Sequence, residues 1–248
     1  ASDEAWLVSV VTRIAIDRLR LASTRREQYV GPWLPEPIAT DPAAAPDRAV
    51  EISSDLSMAF LLLLERLGPE ERAAFLLREL FDASYEEIAN VLEKSEAACR
   101  QIVHRARERV RSGAPRNPVP PDAKERLVER FVSALAAEDM DGLMSLFSDE
   151  VVWMSDGGGK VAAARKVVAG AERVMKMAVG WQRRGRGLVT HRIAIINGEP
   201  AVLSLVDGRT IFTTSLALDG ERITAVYRVL NPDKLRHVGP VPYLTGEE

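Results

Sequence analysis

Residues Ser84 to Val110 read SYEEIANVLEKSEAACRQIVHRARERV, and the fold of the surrounding region turns on how these residues pair as helices. Ser84 followed three residues later by Glu87 is a capping box: the hydroxyl covers a free helix amide while the carboxylate reaches back to the cap. That signal predicts a short helix from Tyr85 to Leu92. Glu93 and Lys94 form a brief turn, after which Ser95 caps a longer helix reaching about Arg111. Cys99, Ile102, Val103, Ala106 and Val110 fall on one stripe of it, which leaves Arg100, Gln101, His104 and Arg107 facing outward. A short helix bracing a longer basic one is the helix-turn-helix geometry that puts the second helix in a DNA groove while its arginines reach phosphates. A helical hairpin with a solvated basic face gives the same pattern.

Upstream, Ser53 or Ser54 can cap a helix running to about Leu67, and Gly68-Pro69 ends it and starts another, Glu70 to about Phe81. A stretch with five prolines, Gly31 to Asp47, must be extended or irregular, because proline lacks a donor and restricts its predecessor. Ahead of it, Trp6, Leu7, Val10, Val11, Ile14 and Leu19 recur at helical spacing. One amphipathic helix is not a domain, so it is expected either to be the remnant of one that extends further toward the N-terminus or to dock on a later domain.

Downstream, Gly113 to Asp122 is a short, stiff, proline-rich spacer. Beyond it Leu127, Val128, Phe131, Val132 and Leu135 mark a helix, Leu143 to Phe147 a shorter one, Val151 to Met154 a strand and Val161 to Val179 a third helix. Period-two alternation then covers Leu188 to Ile196, Ala201 to Val206, Thr210 to Leu218 and Arg222 to Leu230, separated by the hairpin signals Asn197-Gly198, Asp207-Gly208 and Asp219-Gly220. Helices followed by an antiparallel meander must bury one sheet face against those helices.

The 248 residues suit two compact domains. With 46% hydrophobic and 28% charged residues, and no apolar run near the ~20 residues a bilayer requires, no membrane partner is expected. The first ten residues carry no secretory pattern, which predicts a cytoplasmic protein. Cys99 is the only cysteine, so no internal disulfide can form and neither a metal site nor a cofactor is expected. The net charge of −3 conceals two basic clusters. Six arginines between Ser95 and Arg116 face Glu96 and Glu108, and five between Arg13 and Arg26 face Asp17. Such clusters can merely solvate helix faces, but two of them, one inside the motif, fit a nucleic-acid partner.

Three segments carry a resemblance: LGPEERAAFLLRELF from Leu67, SYEEIA from Ser84 and HRARERV from His104 closely resemble domain four of extracytoplasmic-function (ECF) sigma factors. Trp6-Leu7 and TRIAIDRLR from Thr12 resemble the last helix of sigma domain two, which implies an N-terminally truncated fragment without the helices that grip the polymerase clamp. Three further motifs, Trp33-Leu34-Pro35-Glu36-Pro37, Asp156-Gly157-Gly158-Gly159-Lys160 and Asn231-Pro232-Asp233-Lys234-Leu235, are similar to those of the group carrying a fused SnoaL-like extension, so the resemblance covers the whole chain. The implied architecture is multidomain: an all-α helix-turn-helix domain plus a cone-like α+β domain with a curved antiparallel sheet. Its boundaries are 1–29 for the end of domain two, 30–52 and 113–122 for linkers, 53–112 for domain four and 123–248 for the SnoaL-like domain. The resemblance also implies RNA polymerase core and promoter DNA as partners, with the extension regulating in cis. It places upstream-element contacts on Ser95, Arg100, Gln101, His104 and Arg105, and interdomain control on the three motifs. One departure is Glu93-Lys94 where the family's turn glycine is common.

SnoaL-like folds also host enzymes, so fold alone leaves catalysis open. Asp156, Lys160, His191, Asp207 and Arg209 are candidate groups, and His191 alternates in phase with Ile193 and Ile195 toward one face. A lone histidine there is more often a hydrogen-bonded core residue, since a proton shuttle needs a positioned partner. The glycine run lacks the GxxxxGK[ST] spacing of a phosphate loop, and a docking role against the first linker or sigma domain two is favoured, with Trp33 and Leu34 as an apolar plug for that dock. The readings carried forward are a transcription factor with internal control, expected to be no enzyme, and a small-molecule sensor or SnoaL-type enzyme, with an unidentified ligand in the C-terminal pocket, fused to a DNA-binding output. A two-component regulator is disfavoured, since no phosphoacceptor pattern is visible.

Overall fold

The computed structural model describes residues 3–39, 56–236 and 238, and the chain divides into two compact units, Ala1–Gln28 with Phe60–Ala114, and Tyr29–Ala59 with Pro115–Glu248. The first unit is helical: α1 (Asp3–Glu27), α2 (Met58–Leu64), α3 (Pro69–Glu79), α4 (Tyr85–Leu92) and α5 (Glu96–Gly113). Ser53 and Ser54 lie outside the described residues. The capping box at Ser84 forms as its chemistry requires: the hydroxyl accepts from the Glu87 amide at 3.2 Å and the Glu87 carboxylate accepts from the Ser84 amide at 2.6 Å. At the start of α3 only half of such a box forms, the Glu71 carboxylate accepting from the Gly68 amide at 3.1 Å, with Pro69 at the first helical position. Ala74, Leu77, Ile88, Val91, Cys99 and Val103 pack where α3, α4 and α5 meet, and Leu64, Leu67, Phe75 and Ala106 extend the core.

Glu93 occupies the αL conformation that ends α4, at φ 57, so a glutamate does what the family's glycine does. Arg13 of α1 supports that end, its guanidinium donating to the carbonyls of Val91 at 3.3 Å and Asn90 at 3.4 Å and pairing with Glu93 at 3.1 Å. The stripe expected to bury α1 instead faces solvent within this unit, with Trp6 65%, Val11 56% and Ile14 52% exposed, while Ile16 is buried. The docked side is the one carrying Arg13 and Ile16.

The second unit contains α6 (Pro121–Ala136), α7 (Met140–Leu146), β1 (Phe147–Asp156), β2 (Val168–Ala169), α8 (Ala171–Gly185), β3 (Thr190–Ile196), β4 (Glu199–Val206), β5 (Arg209–Asp219) and β6 (Arg222–Val229). The sheet order is β2-β1-β6-β5-β4-β3. β3 to β6 form the antiparallel meander, β1 adds parallel to β6, and β2 pairs antiparallel at the edge. Asn197-Gly198 and Asp207-Gly208 have positive φ at both residues, the primed-turn geometry whose twist matches the strands. Register shifts in β1·β6, β4·β5 and β5·β6 bend the sheet. α6, α7 and α8 fill one face, with Phe131, Leu143, Leu146, Trp153, Val174 and Val226 among the buried side chains.

One element differs from the sequence reading: the helix expected over Val161 to Val179 begins only at Ala171 and runs to Gly185. The Gly157 carbonyl accepts from Lys160 and Val161 amides, closing a turn, and Val168 and Ala169 pair with Trp153 and Val152. Gly170 then takes φ 93, a conformation that breaks helical continuity. The segment predicted as the first linker is, in its described part, residues 30–39, a component of the second unit.

The αL strain at Glu93 yields a measurable expectation. Glu93→Gly relieves about 1 kcal/mol of backbone strain and surrenders only an exposed ion pair, so the chain gains stability, read as a higher midpoint of denaturant unfolding.

Candidate functional site

The sharpest polar constellation lies in the second unit around Asp156, the last residue of β1, which is fully buried. Its carboxylate accepts from the Tyr29 hydroxyl at 2.5 Å and, through the other oxygen, from the Leu34 amide at 2.8 Å and the Lys234 ammonium at 2.6 Å. Lys234 donates as well to the Leu34 carbonyl at 2.5 Å and lies over the rings of Trp33 and Tyr29. Asn231 completes the ring by donating to the Tyr29 oxygen at 2.8 Å, and the Asp156 carbonyl receives the Leu230 and Asn231 amides. A buried carboxylate is costly unless paired and hydrogen-bonded, and this one has three donors from two distant segments.

The three sequence motifs therefore meet in one clasp. Leu34 is wholly buried with Pro35 and Pro37, Trp33 is half-buried and Glu36 is exposed. Gly158, at φ 59, has no room for a side chain: a Cβ would collide with the Asn231 amide and stand 3.0 Å from the Tyr29 hydroxyl. Gly159, at φ 72, is less crowded, with the Val30 side chain 3.1 Å from where a Cβ would stand, and a Cβ on Gly157 would meet the Val161 carbonyl at 2.7 Å. Lys160 pairs with Asp233, Pro232 is exposed and Leu235 is buried. Tyr29 was invisible to sequence reasoning because it stands four residues ahead of the Trp33 motif. Burial, then its bond to Asp156, push its phenol above the usual tyrosine range. A raised folded value contributes stability that is fully present below the ordinary pKa and is lost progressively as pH rises from there through the folded one.

A second feature is a cavity of about 160 Å³ on the helix-covered face of the same unit. Trp181 and Gln182 of α8, Leu135 of α6, His191 of β3, Phe212 of β5 and Arg228 of β6 line it. His191 is held at both ring nitrogens, by the Ser204 hydroxyl at 2.9 Å and the Gln182 carbonyl oxygen at 3.0 Å. No carboxylate among the described residues partners it, so the His-carboxylate pair of a proton shuttle is missing. Burial, then the Arg228 charge, lower its pKa. Asp207 and Arg209 sit exposed at a hairpin turn, outside both features. Sequence reasoning missed Arg228, whose available signal was an arginine two residues beyond Val226 in an apolar strand.

On the helix pair of the first unit, Ser95 caps α5 by accepting from the Ala98 amide at 3.2 Å. Gln101, His104 and Arg105 are exposed. Most neighbouring arginines are engaged: Arg100 with Glu96 at 2.7 Å and over the Tyr85 ring, Arg107 with Glu79 at 2.6 Å, Arg109 with Glu71 at 2.5 Å. Arg105 has no ion-pair partner among the described residues. Exposed pairs of this kind are worth 0 to about 1 kcal/mol, so they yield readily to a phosphate.

Residues 57–110 match the family model described as Sigma-70, region 4. The chain is 38% identical to the ECF RNA polymerase sigma factor SigJ of Mycobacterium tuberculosis over 249 aligned positions, covering 94% of this chain and 78% of SigJ. It is 32% identical to the probable ECF RNA polymerase sigma factor SigI of the same organism over 239 positions, again 94% and 78%. The crystal structure of the M. tuberculosis extracytoplasmic function sigma factor SigJ superimposes with a TM-score of 0.76 at 34% identity, covering 94% of this chain and 82% of that one.

Two outcomes are expected from this geometry. Lys234→Met leaves the Asp156 charge buried without its cation and lowers the unfolding free energy by about 3–5 kcal/mol, measured by denaturant titration. The His191 imidazole titrates by NMR below its ordinary value of 6.5. Stability therefore falls as pH drops below that value, where the unfolded chain binds a proton the folded one excludes.

Proposed function

This chain belongs to the extracytoplasmic-function family of RNA polymerase sigma factors, and from that premise we propose how its two folded parts divide the work. RNA polymerase core and promoter DNA are the partners of such a factor, with a region 4 helical domain and a SnoaL-like α+β domain with a curved sheet. In this proposal α5 lies in the major groove of the upstream promoter element. Gln101, Arg100, His104 and Arg105 face base edges and phosphates, and the Ser95 hydroxyl reaches the backbone. The supporting observation is the outer face of α5, where Gln101, His104 and Arg105 stand exposed and, among the described residues, outside the ion pairs by which glutamates balance Arg100, Arg107 and Arg109.

The SnoaL-like domain regulates in cis through the Asp156 clasp, and acts by binding rather than by turnover. The cytoplasm is where this work is done, and no described helix is long and apolar enough to cross a membrane.

The test is a promoter-binding titration of the full sigma factor. Gln101→Ala costs about 1–3 kcal/mol for the preferred sequence and little for others, whereas Arg105→Ala weakens all sequences alike and lowers the salt slope by about 1. Equal loss on all sequences for Gln101→Ala removes groove readout. For the clasp, Leu34→Ala changes transcription from a cognate promoter while far-ultraviolet circular dichroism stays that of the parent; unchanged transcription removes the regulatory role.

A further inference from the structure

We propose that the cavity beside Arg228 is a binding site for a small organic carboxylate, an apolar ring or short chain bearing one anionic group. Arg228 is 2% exposed, and its guanidinium has no carboxylate partner among the described residues. Its Nε donates to the Thr214 hydroxyl at 3.1 Å, but Nη1 is buried with no acceptor. Phe212, Trp153 and Trp181 stack around it at 4.3, 4.5 and 6.0 Å. Rings attract a cation but do not neutralise it. Folded proteins rarely keep an unpaired buried charge with an orphan N–H, because both forfeit solvation without return.

The surroundings specify what would complete it. Among the described residues no aspartate or glutamate lines the cavity, and its ionisable groups are Arg228, Arg184 and His191. Burial lowers the Arg228 pKa to about 9, so it is still a cation at neutral pH. A guanidinium fork matches a carboxylate bidentately, and the low dielectric strengthens the pair. The remaining wall is apolar and aromatic: Leu135, Trp181, Val189, Ile211 and Phe212. An engineered apolar cavity of ~150 Å³ admits benzene, so about 160 Å³ holds one ring or a chain of similar bulk.

The experiment uses the full chain and reads binding, so its failure leaves the sigma-factor reading intact. Benzoate and hexanoate are titrated by calorimetry and thermal shift beside their neutral counterparts benzamide and hexanamide. Expected is saturable binding with a raised melting temperature for at least one carboxylate, and affinity for its amide at least about tenfold weaker. Arg228→Met, which keeps a long apolar side chain, removes the preference for the anion, and Val189→Trp, which fills the cavity, removes binding altogether. Equal affinity for acid and amide overturns the proposal, as does undiminished carboxylate binding by Arg228→Met. No binding of either carboxylate at millimolar concentration also overturns it.

Discussion

The second unit depends on the burial of one negative charge. Asp156 sits at the end of β1 with no access to water, and a carboxylate in that position is tolerable only while every partner stays in place. Tyr29 and Leu34 come from more than 120 residues upstream and Lys234 from 78 residues downstream. One ion thereby dictates the course of the chain at both ends of the domain. Gly158, two residues on, is a consequence of the same constraint, because Tyr29 and Asn231 crowd the backbone where its side chain would project. A proline-rich stretch that would otherwise behave as a spacer becomes a wall of the fold.

What could be read in the sequence was local. Capping boxes, the alternation of β3 to β6 and the Asn-Gly and Asp-Gly turns all involve residues within a few positions of one another, where spacing determines geometry. The helix boundary at Gly170 escaped because the apolar periodicity of 161–179 runs through it, and only the pairing of Val168 and Ala169 with β1 shows why the chain stays extended there. In the Asp156 clasp, the three motifs could be picked out as a group by resemblance, yet their mutual contacts depend on tertiary closure. Arg228 was hidden for a different reason: arginines at solvent-facing strand positions are ordinary, and nothing local reports that Trp153, Trp181 and Phe212 converge on this one.

The helix pair shows how a family pattern can be kept with different residues. Glu93 accepts a left-handed backbone that glycine would take at lower cost, and Arg13, donating to the exposed carbonyls at the end of α4, supports the turn from outside. The basic character of α5 is likewise more selective than its composition suggests. Glu71, Glu79 and Glu96 each neutralise an arginine, so the positive field gathers near Gln101 to Arg105 rather than along the whole helix.

The parallel pairing of β1 with β6 places Ser155 opposite Arg228 and Asp156 opposite Val229. Successive side chains on a strand point to opposite faces, so a guanidinium on one side of the sheet and a carboxylate on the other are anchored to neighbouring rungs of the same ladder. Leu230 and Asn231, whose amides hold the Asp156 carbonyl, follow directly after the end of β6. Sliding β6 along its axis at Arg228 therefore tugs those two amides in the same stroke, as a seesaw plank cannot lift one seat without moving the other.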